Sequence, residues 1–257
     1  MPGQEPEPYV KHGSVSTPPD FFAVEAASLR WLADAPDGAA VVGVQSVEPK
    51  RIVLDHLDLA RPTPEAAEAF GRALARTHAA GAPAFGAPPA GWEGDGFIGR
   101  QRMSMRPTPH WGTFYAEQRV LPYAREAHAV DHLSAAALAA VERVASRLRA
   151  GDFDDDRPPA RIHGDLWSGN VIFTPNGVVM IDPAAHGGHG LTDLAMLHLF
   201  GVPGLDRIDA AYAEVAGLDP GWRDLIGLHQ LHPLLVHAVS HGPAYGSEAA
   251  SVAFRYR

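Results

Sequence analysis

Two β-rich runs joined by an Asn-Gly pair constrain the fold of this 257-residue chain more than any other feature. The runs lie within residues 171–182, and Asn176-Gly177 between them is typical of the two-residue turn of a β-hairpin. Asp165 and Asn170 precede the first run, and Asp182 ends the second. Because a hairpin reverses the chain, we expect these three oxygen-bearing side chains to lie close together.

Carboxylate and amide oxygens in this arrangement indicate a site for phosphoryl transfer. Mg²⁺ prefers hard oxygen ligands and binds one or two protein groups together with phosphate oxygens and water. The aspartate on the preceding loop, Asp165, is placed to accept a proton from an attacking hydroxyl. Each of the three residues taken alone is more often a turn former or a cap than a catalytic group. The joint pattern of His-Gly-Asp-x4-Asn, a hairpin and Ile-Asp favours the catalytic interpretation.

The composition excludes several classes of protein. With no cysteine, the chain has no disulfide framework, thiolate metal site or cysteine nucleophile. A net charge of −9 disfavours a dedicated nucleic-acid binder. No apolar run reaches the ~18 residues of a membrane helix, and the N-terminus carries no apolar segment of a secretory signal. We therefore expect a soluble, cytoplasmic protein that binds neither nucleic acid nor a membrane.

The periodicity along the chain predicts a small β-containing part followed by a larger helical part. Apolar spacing predicts a helix over 20–33 with Asp20 as its N-cap, and β-rich runs at 40–44 and 51–54 predict a hairpin. The segment 55–62 is a predicted linker. A strand fragment is expected at 9–11, helices at 63–78, 111–126, 134–149 and over most of the chain after 190, and a long loop at 81–112. The predicted class is α+β.

The stretch from His163 to Asn170 resembles a known catalytic loop. Its sequence HGDLWSGN is similar to that loop in the protein-kinase-like and aminoglycoside-phosphotransferase-like fold, and Asp182 matches the metal-binding aspartate of the same fold. More narrowly, the region resembles the fructosamine kinase (ketosamine 3-kinase) family. The further matching runs are IDPA at 181–184, GGH at 187–189 and DLAM at 193–196. The resemblance is dense over 161–201 and looser elsewhere, and it implies a bilobal protein-kinase-like fold.

The resemblance implies roles for the residues at the centre of the site. Asp165 would be the base that faces the sugar hydroxyl. Asn170 and Asp182 would hold Mg²⁺ against the phosphates of ATP. Lys11 occupies the position of the family's ATP-phosphate lysine, and Glu25 would be its ion-pair partner. ATP and Mg²⁺ are therefore the expected cofactors.

Supporting roles follow from the same resemblance. His163 would brace the catalytic loop, and Asp193 would fix that loop by hydrogen bonds. Trp167 would either form a wall of the sugar site or serve in packing. The hinge whose backbone meets adenine would comprise Asp55, His56 and Leu57.

The front of the chain departs from the family pattern. In the family, two strands joined by a Gly-containing phosphate loop precede the lysine strand, whereas here only ten residues precede Lys11 and Gly3 is their single glycine. At about 3.3 Å per residue, this segment is too short for a two-stranded hairpin and the lysine strand. We therefore expect a truncated N-terminal β lobe over 1–54, a hinge over 55–62 and a mainly helical C-terminal lobe over 63–257.

The expected activity is ATP-dependent transfer of a phosphoryl group to a hydroxyl of a ketosamine, free or protein-bound. Two alternatives stay open. One is a kinase for another hydroxylated amine such as an aminoglycoside, and the other is a catalytically weak nucleotide-binding protein without the phosphate loop. The acceptor, the hydroxyl that reacts and the oligomeric state are left open, with a monomer as the starting expectation.

The 14 histidines raise the alternative of a zinc site. Two histidines at helical spacing can supply half of such a site. The chain has no His-Glu-x-x-His motif, and Pro233 is expected to interrupt the helix that would carry two of the pairs. Packing and loop bracing are therefore the favoured roles. The pairs in question are His186 with His189, His229 with His232, and His237 with His241.

Overall fold

The first part of the fold is a small antiparallel sheet covered by one helix. The structure is a computed structural model, and it describes residues 7–257. Phe22, Ala26 and Leu29 of the helix pack in one buried cluster with Ile52 of the sheet. Lys11 lies opposite Ile52 in the strand register. The elements are β1 (Tyr9–His12), α1 (Phe21–Ala33), β2 (Ala40–Val41), β3 (Val44–Glu48) and β4 (Arg51–Leu54), with the sheet order β1-β4-β3.

The second part is mainly helical, as predicted. The predicted helix starts at Thr63 and Ser134 are confirmed, because each side chain accepts a hydrogen bond from a backbone N–H three residues later, at 3.2 Å in both cases. The helices are α2 (Pro64–Ala79), α3 (Trp111–Phe114), α4 (Leu121–Ala129), α5 (Ala135–Ala150), α6 (Leu191–Phe200), α7 (Leu205–Ala216), α8 (Ile226–His241) and α9 (Pro243–Tyr256). A π-helical segment, Tyr115–Val120, joins α3 to α4 and replaces the uniform helix expected there.

Six short strands are inserted among these helices. They are β5 (Gly96–Ile98), β6 (Gln101–Met103), β7 (Ala160–Ile162), β8 (Val171–Thr174), β9 (Gly177–Met180) and β10 (His186–Gly188). Strands β8 and β9 form the predicted antiparallel hairpin, and Gly177 in its turn has a φ of +115°, which favours glycine. Strand β7 pairs with β10. The two ends of the β8–β9 hairpin therefore lie next to each other.

The hairpin predicted from 40–44 and 51–54 is only partly correct. Val44 begins β3, which pairs with β4, but Ala40 and Val41 form β2 and pair in parallel with β9 instead. The chain separates at Gly43, where a Cβ would lie 2.0 Å from a carboxylate oxygen of Asp55. Partly buried Val41 packs against the cores on both sides of this junction, so tertiary packing overrides the local hairpin pattern.

Three further predictions were wrong in detail. The expected loop at 81–112 contains the β5–β6 hairpin, whose turn uses Gly99 with a φ of +54°. Helix α8 runs through Pro233, because the Tyr115 hydroxyl donates to the His229 carbonyl at 2.8 Å and supplies the bond that proline cannot donate. Asp20 precedes α1, but its side chain makes no capping hydrogen bond.

The mixture of helices and small sheets agrees with the predicted α+β class. The predicted absence of two strands and a Gly-containing loop concerns the chain before Lys11, where residues 1–6 lie outside the described residues. The division into 1–54, 55–62 and 63–257 stays a prediction. In the part of the chain that is described, every helix is too short or too polar to cross a membrane.

Candidate active site

The loop from His163 to Asn170 is held in place by Asp193 of α6. This carboxylate is fully buried and accepts hydrogen bonds from the backbone N–H groups of His163, at 2.7 Å, and Gly164, at 2.8 Å. Gly164 has a φ of +81°, and a Cβ there would lie 2.3 Å from the carbonyl oxygen of Ala184. The loop backbone is therefore fixed by one buried carboxylate and one glycine.

Two side chains that were not predicted as part of the site form a hydrogen-bonded chain that ends at Asp193. The Nε2 atom of His78 lies 3.0 Å from the Asp193 carboxylate, and its Nδ1 atom lies 2.7 Å from the Tyr212 hydroxyl. Burial raises the pKa of Asp193, but the hydrogen bond and charge of His78, together with His163 and the Gly164 N–H, jointly outweigh this and hold that pKa below its usual range. The only signal in the sequence is the position of His78 on the apolar face of α2, which indicates packing.

The ring of His163 connects the loop to the exit of the β8–β9 hairpin. Its Nε2 atom lies 2.8 Å from the carbonyl oxygen of Ile181, and its Nδ1 atom accepts the backbone N–H of Asp165 at 3.2 Å. Burial lowers the pKa of His163, so the ring is neutral and carries its proton on Nε2. This geometry braces the loop and leaves no ring nitrogen for proton transfer.

The structure brings Asp165, Asn170 and Asp182 together. The Asn170 side-chain amide donates to the Asp165 carbonyl at 2.8 Å and lies 3.5 Å from both an Asp165 carboxylate oxygen and the Asp182 carbonyl. The backbone N–H of Ile181 donates to the Asn170 carbonyl at 3.1 Å, which ties the two ends of the hairpin together. Asp182 adopts a left-handed φ of +56°, a conformation that is uncommon outside glycine.

The carboxyl group of Asp165 has an unusual proton affinity. Burial, together with the charges of Asp182 and Asp193, raises its pKa to about 7. A group with this pKa exchanges a proton readily near neutral pH, as a general base requires.

Lys11 bridges the small sheet and the end of the hairpin. Its Nζ atom lies 2.6 Å from Oε1 of Glu25 on α1 and also bonds to Oδ1 of Asp182. Burial lowers the pKa of Lys11, but the charges of Glu25 and Asp182 outweigh this and raise it above the usual value. Lys11 is therefore charged, and it joins the two parts of the molecule at the site.

Two neighbouring cavities meet at Asp165. The first cavity, about 720 Å³, extends between β1, α1 and the loop. The second cavity, about 470 Å³, lies toward α8 and α9. Gly99, Asp165 and Trp167 line both cavities. The charged or polar residues predicted for the site that line the first cavity are Lys11, Glu25, Asp165, Asn170 and Asp182.

The predicted hinge lies away from this cluster. The backbone N–H of Asp55 donates to the Gly43 carbonyl at 2.9 Å, and its carboxylate accepts from the Gln45 side chain at 2.9 Å. His56 is exposed, and Leu57 packs against the buried cluster of the small sheet. None of the three hinge residues is among the described residues lining the two cavities. Their contact with adenine stays a prediction.

The model of a family described as fructosamine kinase matches residues 3–255. The chain belongs to the fructosamine kinase family. The family resemblance predicted from residues 161–201 is therefore confirmed.

This chain covers different shares of the length of its individual relatives. A candidate ketoamine kinase from Enterococcus faecium is 32% identical over 177 residues, which make up 68% of this chain and 62% of that protein. The chain thus spans less than two thirds of that relative. The solved structure of a candidate fructosamine-3-kinase from Thermobifida fusca is 46% identical, with a TM-score of 0.88, and the match covers 96% of this chain and 85% of that one.

A more distant neighbour bears on the fold alone. The crystal structure of an ADP-bound aminoglycoside phosphotransferase is 12% identical, with a TM-score of 0.57, and the match covers 91% of this chain and 82% of that one. The predicted bilobal fold of the protein-kinase-like and aminoglycoside-phosphotransferase-like type is therefore confirmed for this family member.

The residues of this family member fit a magnesium ion. The hydrogen bonds of the Asn170 side chain within residues 7–257 all use its nitrogen, which leaves its oxygen available to a cation. The Asp182 side chain is 43% exposed, so water can reach its carboxylate. One amide and one carboxylate oxygen, completed by phosphate and water, suit Mg²⁺. Across the described chain, no group of three or more histidine, aspartate or glutamate side chains is placed to hold a metal ion.

Proposed function

We propose that this chain transfers the γ-phosphoryl group of ATP to a hydroxyl of a ketosamine. The observation that carries the proposal is the convergence of Lys11, Asp165, Asn170 and Asp182 on one cavity in a member of the fructosamine kinase family. Both the family description and the Enterococcus relative refer to ketoamine chemistry. ATP and Mg²⁺ are the cosubstrate and the cofactor in this proposal.

Asp165 acts as the general base. It faces both cavities, so a hydroxyl in the second cavity and a phosphoryl donor in the first can approach each other across it. The hydroxyl oxygen forms a bond to phosphorus as the bond to the leaving ADP oxygen breaks, and the hydroxyl proton passes to the Asp165 carboxylate. His163 and Asp193 hold the carboxylate in position without exchanging protons themselves.

Asn170 and Asp182 are the proposed magnesium ligands, and Lys11 is the proposed phosphate ligand. Bound Mg²⁺ supplies neutralisation of the negative charge on the phosphates. Lys11 adds a second positive charge, held at the rim of the site by Glu25, at 2.6 Å. Since phosphoryl transfer depends mainly on positioning and charge neutralisation, these side chains supply the base, the metal ligands and a phosphate-binding cation in this proposal.

The test is ATP-dependent phosphorylation of a synthetic ketosamine by the wild type and by Asp165→Asn. We expect the substitution to lower kcat by about 10²- to 10⁴-fold, because it removes the proton acceptor, and to leave the circular dichroism spectrum unchanged. Asp37→Asn is the matched control, since Asp37 is exposed and lines neither cavity. Turnover by Asp165→Asn at the wild-type rate would disprove the mechanism.

A second candidate function is binding of a nucleotide without efficient turnover. It is favoured by the bond between Lys11 and Asp182, because the proposed magnesium ligand is already paired with a cation. Calorimetry with Mg²⁺ and a non-hydrolysable ATP analogue, combined with the turnover assay, separates the two. Tight binding with no turnover on any amino sugar supports the second candidate, whereas measurable turnover supports the kinase.

A further inference from the structure

The second cavity is walled by aromatic rings that the proposed chemistry does not use. The ring centroids of Phe200 and His237 are 5.1 Å apart, and those of His237 and Tyr245 are also 5.1 Å apart. His241 stacks on His237 with centroids 5.0 Å apart and an interplanar angle of 23°. Trp167 meets Phe200 edge to face at 6.1 Å. The rings form a continuous array that begins beside Asp165 and ends on α9.

Few charged side chains line this cavity. Among the described residues that line it, Asp165 has the only carboxylate, and there is no lysine or arginine. His237 is neutral, since burial lowers its pKa, although its Nδ1 atom bonds to the Pro233 carbonyl at 2.7 Å. A positively charged group that enters the cavity therefore meets ring faces and a single carboxylate.

The β5–β6 hairpin beside the second cavity is bonded to helix α8. The β5–β6 hairpin brings Gly99 to the boundary of the two cavities. The side-chain amide of Gln101 donates to the Val236 carbonyl of α8 at 3.2 Å and also bonds to Ser240. The hairpin is thereby fastened to the helix that carries His237, so the cavity has a defined shape next to Asp165.

We propose that the second cavity holds the amine portion of the acceptor and selects acceptors with one ammonium group and an uncharged, apolar substituent. The inference rests on the proposed kinase function. Ring faces attract an ammonium group and pack against apolar carbon at the same time. A polyamino sugar would bring additional ammonium groups into a cavity with no further carboxylate, at the cost of their hydration. The aromatic array thus favours a monoamine ketosamine over an aminoglycoside.

The first experiment compares acceptors with the wild-type protein and Mg·ATP. The acceptors are the fructose ketosamine of benzylamine, the same ketosamine of ethylenediamine, which has a second ammonium group, and an aminoglycoside. We expect kcat/KM for the benzylamine compound to exceed both others by about 10-fold or more. Equal values, or a preference for either polyamine, would overturn the inference while leaving the kinase function in place.

The second experiment assigns the selection to the rings. Tyr245→Leu and Phe200→Leu remove one aromatic face each, and we expect each to raise KM for the benzylamine ketosamine about 5- to 10-fold while KM for ATP stays within about twofold. Phe254→Leu is the matched control, because Phe254 is exposed on α9 outside both cavities. Unchanged acceptor KM in both cavity variants would refute the role of the rings.

Calorimetry with the wild type in the absence of ATP distinguishes failure of this inference from failure of the proposed function. If the wild type phosphorylates no acceptor, its binding of the benzylamine ketosamine, and the loss of that binding in Tyr245→Leu, would still support the cavity assignment. If Tyr245→Leu leaves the affinity for the benzylamine ketosamine unchanged, the cavity assignment is contradicted, whether or not the protein shows turnover.

Discussion

The loop over 163–170 lies between two groups of contacts, a buried group on its inner side and a partly exposed group on its outer side. On the inner side, Asp193 is fully buried and bonded to two backbone N–H groups and to His78. On the outer side, the side chains of Lys11 and Asp182 are 20% and 43% exposed. Solvent can replace a lost partner on the outer side but not on the inner side. We therefore expect the inner network to control stability and the outer cluster to control turnover.

The largest effect should come from removing the inner carboxylate. Asp193→Ala leaves the N–H groups of His163 and Gly164 buried without an acceptor, so we expect the free energy of unfolding to fall by about 3–5 kcal/mol. Urea denaturation followed by circular dichroism measures this. Asp193→Asn keeps one acceptor oxygen, so we expect its free energy of unfolding to fall by less. A loss below about 1 kcal/mol for Asp193→Ala would break the proposed contrast between the two sides.

The outer chemistry was the more predictable from sequence, because much of it is local. Asp165, Asn170 and Asp182 lie within one loop and hairpin, and the Asn176-Gly177 turn determines that their chain positions converge. Lys11 and Glu25 could be placed by family resemblance, since they share a short strand–helix unit. The geometry of all five agrees with the expectation that they meet, whereas their chemical roles stay proposals.

The inner network and several fold details could not be predicted because they depend on distant contacts. His78 and Tyr212 are 134 residues apart in sequence, and either one alone has the pattern of a packed core residue. Strands β5 and β6 have three residues each in a Gly- and Pro-rich stretch, which gives too little alternation to detect. Helix α8 continues past Pro233 with the His229 carbonyl bonded by Tyr115, which comes from another part of the chain.

The pH dependence of stability should reflect the buried groups rather than the outer cluster. Burial lowers the pKa of His229 and His232 well below the usual value and lowers that of His186 to about 3. Below pH ~6.5 these histidines are protonated in the unfolded chain but stay neutral in the folded protein, so the free energy of unfolding falls as the pH falls. Asp165 has the opposite effect on the free energy of unfolding. With a pKa of about 7, it binds a proton in the folded protein at pH values where the unfolded chain leaves it ionised.

The two contributions can be separated experimentally. Between pH 7.5 and 5.5 we expect a net loss, because these histidines, with His163 and His237, together lose more than the roughly 2 kcal/mol gained at Asp165. Urea denaturation at both pH values checks this. Asp165→Asn removes the opposing gain, so its loss should be larger by about 2 kcal/mol. An equal loss in both proteins would contradict the raised pKa of Asp165.

The smallest effect on stability should come from the outer lysine. Lys11→Met leaves the carboxylate of Glu25, whose side chain is 9% exposed, without its cation, and we expect a loss of about 1–2 kcal/mol because the pair is neither fully buried nor fully exposed. Glu25→Gln added to Lys11→Met removes the unpaired charge and should recover part of that loss. A double-mutant cycle measures the coupling directly. If Lys11→Met costs as much stability as Asp193→Ala, the outer cluster is part of the structural framework, and the division between a stabilising inner side and a reactive outer side does not hold.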